Sequence, residues 1–172
     1  NILVGHNTDI VGFQKAIQDT NYNFANKKIL ILGAGGVVPS IIFALNKMNV
    51  SKIIISNRTK EKAVNLKNQF NSIDILEWGM ATNYDVIINA TSLGLKNESI
   101  NLDYLHTSKN KLFYDVIYNP SETNFLKKGK ETGNKTENGK LMFVYQAFEA
   151  FKLWHGIEPA INTSTLKLLD DD

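Results

Sequence analysis

Five short apolar runs punctuate the chain, separated by longer stretches of mixed polarity: Lys28–Leu32, Lys52–Ser56, Ile73–Leu76, Tyr84–Asn89 and Leu112–Val116. Several are almost continuously apolar rather than alternating, the pattern of strands covered by helices on both sheet faces. Between the first two runs, Val37, Val38, Ile41, Ile42, Leu45 and Met48 recur at helical spacing. Ala63, Leu66 and Phe70 do the same between the second and third. The turn signal Asn138-Gly139 opens another helix, with Leu141, Val144, Tyr145, Phe148 and Phe151 as its core stripe. On this spacing Met142 and Gln146 share a separate face of that helix. Residues 8–19 predict a helix with Phe13, Ala16 and Ile17 inward and Thr8 or Asp9 as its cap. Residues 162–169 predict a terminal helix before Asp170-Asp171-Asp172, while 20–26 and 129–140 read as polar linkers. Strand–helix alternation with short connections means βαβ units, so the expected fold is α/β, a doubly wound parallel sheet.

Composition narrows the function classes. In 172 residues, 43% are hydrophobic and 21% charged, values for a folded globular domain rather than a disordered one. No apolar run approaches the roughly 20 residues of a membrane span, so no membrane partner is expected. The net charge is +2 and the basic residues are scattered, which gives no reason to expect nucleic acid. Without cysteine there is no disulfide, thiolate nucleophile or cysteine-ligated metal. His6, His106 and His155 lack ligand spacing, so no metal is expected. The tryptophans are expected in the core. The chain starts at Asn1 directly on Ile2-Leu3-Val4, which reads as a cut through a larger protein. Those apolar residues, with the terminal helix, are expected to favour a homodimer or other self-association through a bared domain surface.

Candidate chemistry begins at Gly33-Ala34-Gly35-Gly36-Val37-Val38, between a predicted strand and a predicted helix. Glycines there permit a tight turn and a close backbone approach to a pyrophosphate, with helix-start amides facing it. A site preferring NAD would place an acidic residue at the end of the second strand, on the ribose hydroxyls. This chain has Ser56-Asn57-Arg58-Thr59-Lys60-Glu61-Lys62 there instead. Of its 19 basic residues, Arg58 alone is arginine, in a background that otherwise favours lysine. Its planar fork suits a 2′-phosphate and can stack on adenine, with Thr59 and Lys62 adding a donor and a charge, so NADP is the expected cofactor. Gly5-His6-Asn7-Thr8-Asp9 brings a carboxylate to a helix start, where it could bind hydroxyls or move a proton as well as cap.

Taken together, these motifs resemble the nucleotide-binding half of the shikimate dehydrogenase family. The resemblance covers Gly5–Asp9, Gly33–Gly36, Asn57–Thr59, Asn89-Ala90-Thr91-Ser92-Leu93-Gly94, Asp115–Pro120 with Thr123, Phe125 and Leu126, and Asn138-Gly139 through Trp154. It implies a cytoplasmic, NADP-dependent oxidoreductase of aromatic amino-acid and chorismate biosynthesis. The small-molecule reaction is the reversible reduction of 3-dehydroshikimate to shikimate. By the same resemblance Asp9 is the catalytic and substrate-binding carboxylate that pairs with a lysine, and Tyr118 and Gln146 contact substrate. Gly33, Ala34, Gly35, Gly36 and Val37 form the phosphate loop, and Asn57, Arg58, Thr59 and Lys62 the adenosine-phosphate clamp. Thr91, Ser92, Val116 and Gly139 lie towards the nicotinamide, and a sixth strand is expected near 135–137, at a sheet edge. The family's lysine belongs to an N-terminal half; neither Lys15 nor Lys140 fits its place, so the chain alone is expected to be inactive. The expected division is a hinge over 1–20, the nucleotide domain over 21–156, and a C-terminal helix over 157–172 that packs towards the missing half. The alternatives are a quinate/shikimate dehydrogenase that also uses NAD and a non-catalytic NADP-binding regulatory module.

Overall fold

All five apolar runs form strands, and a sixth strand joins them in the computed structural model, which describes residues 2–106 and 109–169. The acidic end, 170–172, lies outside the described residues. The strands are β1 (Lys28–Leu32), β2 (Lys52–Ser56), β3 (Ile73–Leu76), β4 (Val86–Asn89), β5 (Leu112–Asp115) and β6 (Lys135–Glu137). They form one sheet in the order β3-β2-β1-β4-β5-β6, every neighbouring pair parallel. The expected α/β doubly wound sheet is therefore present, with β6 at an edge. The order reverses between β1 and β4, where open α/β sheets bind ligands beyond the carboxyl ends of their strands. Leu32 pairs with both Ser56 and Asn89, so the turns after β1, β2 and β4 emerge side by side.

The pleat explains why the strands are apolar throughout. Ile29 and Ile31 of β1 join one core and Leu30 and Leu32 the other; β4 likewise sends Val86 and Ile88 one way and Ile87 the other. The first core is covered by α1 (Thr8–Asp19), α2 (Val38–Lys47), α3 (Lys60–Gln69) and α5 (Lys140–His155). The second is covered by α4 (Asn124–Glu131) and a short 3-10 turn over 103–106. A short α6 (Thr163–Lys167) follows α5, starting from the Asn162 cap.

Five expectations need correction. Asn7, not Thr8 or Asp9, caps α1: its Oδ1 accepts the N–H groups of Asp9 (3.0 Å) and Ile10 (3.4 Å), while Thr8 and Asp9 are already helical. The segment 129–140 is not a linker but the end of α4 followed by β6. Only Phe125 and Leu126 anchor α4 apolarly, with Gly129 so close to Phe113 that a Cβ would lie 2.7 Å from its ring. Met142 belongs to the core, because α5 turns its 142/146 face onto α1. Trp154 is 78% exposed rather than buried, and Phe151 is 40% exposed although placed in the core stripe. Among the described residues, no helix is long and apolar enough to cross a membrane.

Candidate functional site

The β1–α2 turn is built around Gly33. Its φ is +109°, and a Cβ there would lie 2.6 Å from the Ala90 carbonyl oxygen, so only glycine fits without moving backbone. The Gly33 N–H donates to the Ser56 carbonyl (2.8 Å), which ties the turn to the end of β2. At Gly35 a Cβ would meet only the Ala90 oxygen, at 3.8 Å, and at Gly36 nothing within 4 Å. The missing side chains thus leave open space over the loop backbone. Val37, the cap position of α2, supplies no side-chain cap; in the first turn the Val38 N–H donates to the Gly35 carbonyl (3.1 Å) and Pro39 has none, so the free approach to an acceptor lies over the loop backbone itself.

The open side of this loop is a cleft of about 580 Å³. Gly33, Ala34, Gly35, Asn57, Arg58, Thr59, Lys62, Thr91 and Ser92 all line it, so the structure brings the glycine loop and the basic turn together. Asn57 Nδ2 donates to the Thr59 carbonyl (2.7 Å), which shapes the turn that carries Arg58. Thr59 occupies the cap position of α3 without a side-chain cap bond, leaving its hydroxyl uncommitted to that role. A second cleft of about 450 Å³ is lined by Val37, Val116, Tyr118 and Asn119, and it shares Ala90 and Thr91 with the first. The Tyr118 ring stacks on Phe143 of α5, centroids 4.4 Å apart. Gly139 lines neither cleft but backs Val116 so closely that a Cβ would lie 2.0 Å from its carbonyl oxygen.

Asp9 and Gln146 also stand outside both clefts. Their two helices, α1 and α5, pack against each other. A Cβ on Gly12 would come within 2.9 Å of the Gln146 Cβ and the Met142 carbonyl, so α1 and α5 are in near backbone contact there. Asp9 lies three residues before Gly12, on the same side of α1. Asn7, the cap beside it, donates from Nδ2 to Ser40 Oγ of α2 (3.0 Å) and joins this corner to the helix that starts at the glycine loop.

A buried polar network holds the two cleft loops. Asn89 donates to Asp115 Oδ1 (3.0 Å) and to the Leu93 carbonyl (3.1 Å). Its Oδ1 accepts the Thr91 N–H (3.0 Å) and hydroxyl (2.7 Å). Asp115 also accepts the Ile117 N–H (3.0 Å) and the Thr123 hydroxyl (2.6 Å). Both Asn89 and Asp115 are fully buried. One carboxylate therefore fixes the loop carrying Thr91 and Ser92 against the loop carrying Val116 and Tyr118. Sequence reasoning from residue chemistry gave Asn89 and Asp115 no role of their own; a charged residue closing an otherwise apolar strand was the available signal.

Burial pushes the Asp115 carboxyl up to about 6, against hydrogen bonds from Thr123, Ile117 and Asn89 that pull it down. A carboxyl raised on folding stabilises the fold most below its ordinary value near 3.8 and loses that contribution as pH rises through about 6. Asp115→Asn removes the titration. Between pH 4 and 7 the variant should therefore gain stability relative to the parent by on the order of 3 kcal/mol. Urea midpoints for both proteins across that range check this, other carboxylates cancelling in the difference. A gap that stays constant with pH would mean that Asp115 titrates as an ordinary carboxyl.

Comparison with known proteins adds two kinds of likeness. The family profile described as "Shikimate / quinate 5-dehydrogenase" matches residues 14–117, and that of the "Shikimate 5'-dehydrogenase C-terminal domain" matches 141–163. A shikimate dehydrogenase (NADP(+)) of Pelagibacter ubique is 56% identical over 171 residues, covering 99% of this chain and 64% of the relative. The shikimate dehydrogenase structure from Aquifex aeolicus superposes with a TM-score of 0.82 at 36% identity, covering 98% of this chain and 62% of the other. The shikimate 5-dehydrogenase of Thermus thermophilus, solved with NADP(H) and shikimate, superposes at 0.83 with 29% identity, covering 96% of this chain and 62% of the other. The chain thus spans somewhat under two thirds of the length of the relatives it matches.

Proposed function

The chain belongs to the shikimate/quinate 5-dehydrogenase family, and from that premise we propose that it is the NADP-binding part of a shikimate dehydrogenase, acting in the reversible NADPH-dependent reduction of 3-dehydroshikimate. One observation carries the cofactor choice. The glycine loop and the Arg58–Lys62 turn share one cleft at the reversal of strand order, and among the described residues no carboxylate lines it. An acidic residue at the end of β2 would repel a 2′-phosphate; here Asn57 stands in that place and shapes the turn instead.

Bound in this cleft, NADPH supplies the hydride for ketone reduction. The protein's share is positioning. Backbone at Gly33–Val37 takes the pyrophosphate, and Arg58, Thr59 and Lys62 take the 2′-phosphate. Towards the nicotinamide, Thr91 lines both clefts, Ser92 the first and Val116 the second, with Gly139 backing Val116. Tyr118, 36% exposed and stacked on Phe143, presents its hydroxyl at the mouth to a polyol substrate. Asp9 and Gln146 supply further substrate contacts from the packed corner of α1 and α5. In this reading Asp9 also holds the charge of a lysine that moves the proton. We read the chain as an enzyme part rather than a bare cofactor module, because a cofactor sensor has no need of Asp9, Tyr118 and Gln146.

Replacing Arg58 with alanine tests the reading. The lost charge-assisted contact is worth about 1.5–3 kcal/mol, so NADPH affinity should fall by about 10- to 150-fold. NADH affinity should change by less than about threefold, since NADH lacks the phosphate. Equal losses for the two cofactors in calorimetric titrations would make Arg58 structural and the NADP assignment wrong.

A further inference from the structure

Beyond the glycine loop, the basic turn and the 90–93 segment after β4, three further residues line the nucleotide cleft: Trp78, Ser99 and Asn101. Trp78 lies two residues beyond the end of β3, on the strand edge next to β2. It is half-buried. Part of its surface packs on the second core with Leu76 and Leu93, and part lines the cleft that Arg58 and Lys62 also line. It is the one aromatic side chain among the described residues that line this cleft. The cleft therefore carries two kinds of group. Arg58 and Lys62 offer a guanidinium and an ammonium, which suit phosphate. Trp78, Ser99 and Asn101 offer a flat indole with a neutral hydroxyl and a neutral amide, which suit a heteroaromatic ring with a π-face and a hydrogen-bonding edge.

We propose that Trp78, with Ser99 and Asn101, forms the purine-binding wall of the cleft, the base lying against the indole and its polar edge meeting the amide and hydroxyl. The inference rests on the nucleotide reading above and deepens it, assigning the base to residues that carry no motif. The core beneath Trp78 gives it a fixed backing, so stacking loses little side-chain freedom on binding. Asn101 can both donate and accept, as an adenine edge requires. Stacking on an aromatic side chain makes no demand on the phosphate. Loss of the indole should therefore weaken every adenine-bearing ligand alike, with or without a 2′-phosphate, whereas loss of Arg58 should weaken chiefly those that carry it.

The chain itself allows a direct test, because Trp78 and Trp154 are its two tryptophans and Trp154 stands 78% exposed on α5. In a Trp154→Phe background all indole emission comes from Trp78. Titration with adenosine 2′,5′-bisphosphate, which has the base and phosphates but no nicotinamide, should change that emission saturably. Ribose 5-phosphate at the same concentrations should not. By calorimetry, Trp78→Leu should lower affinity for adenosine 2′,5′-bisphosphate by about 10- to 100-fold, and Trp78→Phe should restore most of it. Thermal melts establish that each variant is folded; should the leucine variant unfold, the emission change and the phenylalanine variant decide. Binding by calorimetry with no change in Trp78 emission, or a folded leucine variant within twofold of the parent, overturns the proposal and leaves the nucleotide reading intact. No binding of either adenosine 2′,5′-bisphosphate or NADPH to the parent chain overturns both.

Discussion

Gly35→Val should leave the fold intact and remove nucleotide binding. The expectation is specific to this glycine. Its φ is not in the left-handed region, and an added Cβ would meet only the Ala90 carbonyl oxygen at an ordinary 3.8 Å, so the free protein can accommodate a side chain. What a valine would fill is the open side of the loop, part of the roughly 580 Å³ cleft where backbone and ligand must touch. NADPH affinity should fall by at least about a hundredfold, the scale of losing the loop's phosphate hydrogen bonds. The melting temperature should move by no more than a few degrees. Gly33→Ala makes the contrast: with φ +109° and a carbonyl oxygen 2.6 Å from the new carbon, it should lower the melting temperature itself. A folded Gly35→Val protein that binds NADPH like the parent would remove the loop from the phosphate site.

Asp9→Asn should cut turnover by about 10²- to 10⁴-fold in a chain of the relatives' full length, the usual range for a group engaged in proton transfer. Stability should hardly change. Asn7, not Asp9, caps α1 through its own Oδ1, so the substitution spares the cap and removes only a charge near the helix start. That charge is worth about 0.3–1 kcal/mol at an exposed helix end. Steady-state assays with shikimate and NADP, set beside thermal melts, separate the two effects. Near-normal turnover would return Asp9 to a helix-start carboxylate with no chemical role.

The same residues show what a sequence can and cannot reveal. The strands were legible because a parallel sheet buries both faces, so Lys28–Leu32 and Lys52–Ser56 read as nearly unbroken apolar runs and their depth needed no periodicity. The glycine loop and Arg58 were legible because their chemistry lies within some thirty consecutive residues. α4 was hidden by its charge. Its anchors are Phe125 and Leu126 alone, and its third buried position is Gly129, which packs on Phe113 by having no side chain. The inward face of α5 was assigned only in part, because spacing gives a stripe without saying which neighbour it meets: Val144 is buried and Leu141 and Tyr145 pack on the core as expected, but Met142 is buried too. Gly12, invisible to a hydrophobic pattern, lets α1 come close enough to bury Met142. Both tryptophans were expected in the core; Trp154 proved exposed, while Trp78 packs on the second core in part and also lines the cleft. Asp115 shows the same limit for polar groups. Its partners Asn89, Thr123 and Ile117 come from a neighbouring strand and from the loop beyond β5, so its role is set by topology that no local motif spells out.

Everything proposed for the cofactor depends on the cleft at the reversal of strand order binding a dinucleotide by its 2′-phosphate, through residues 33–62 of this chain. Parallel calorimetric titrations of the 172-residue protein with NADPH and with NADH test it most directly, since every group invoked for cofactor choice lies within the chain. The predicted result is saturable binding of one NADPH per chain, at least about tenfold tighter than NADH and weakening as salt is added, because Arg58 and Lys62 meet a phosphate in solvent-accessible surroundings. Equal affinity for the two, or no NADPH binding at millimolar concentration, would contradict it.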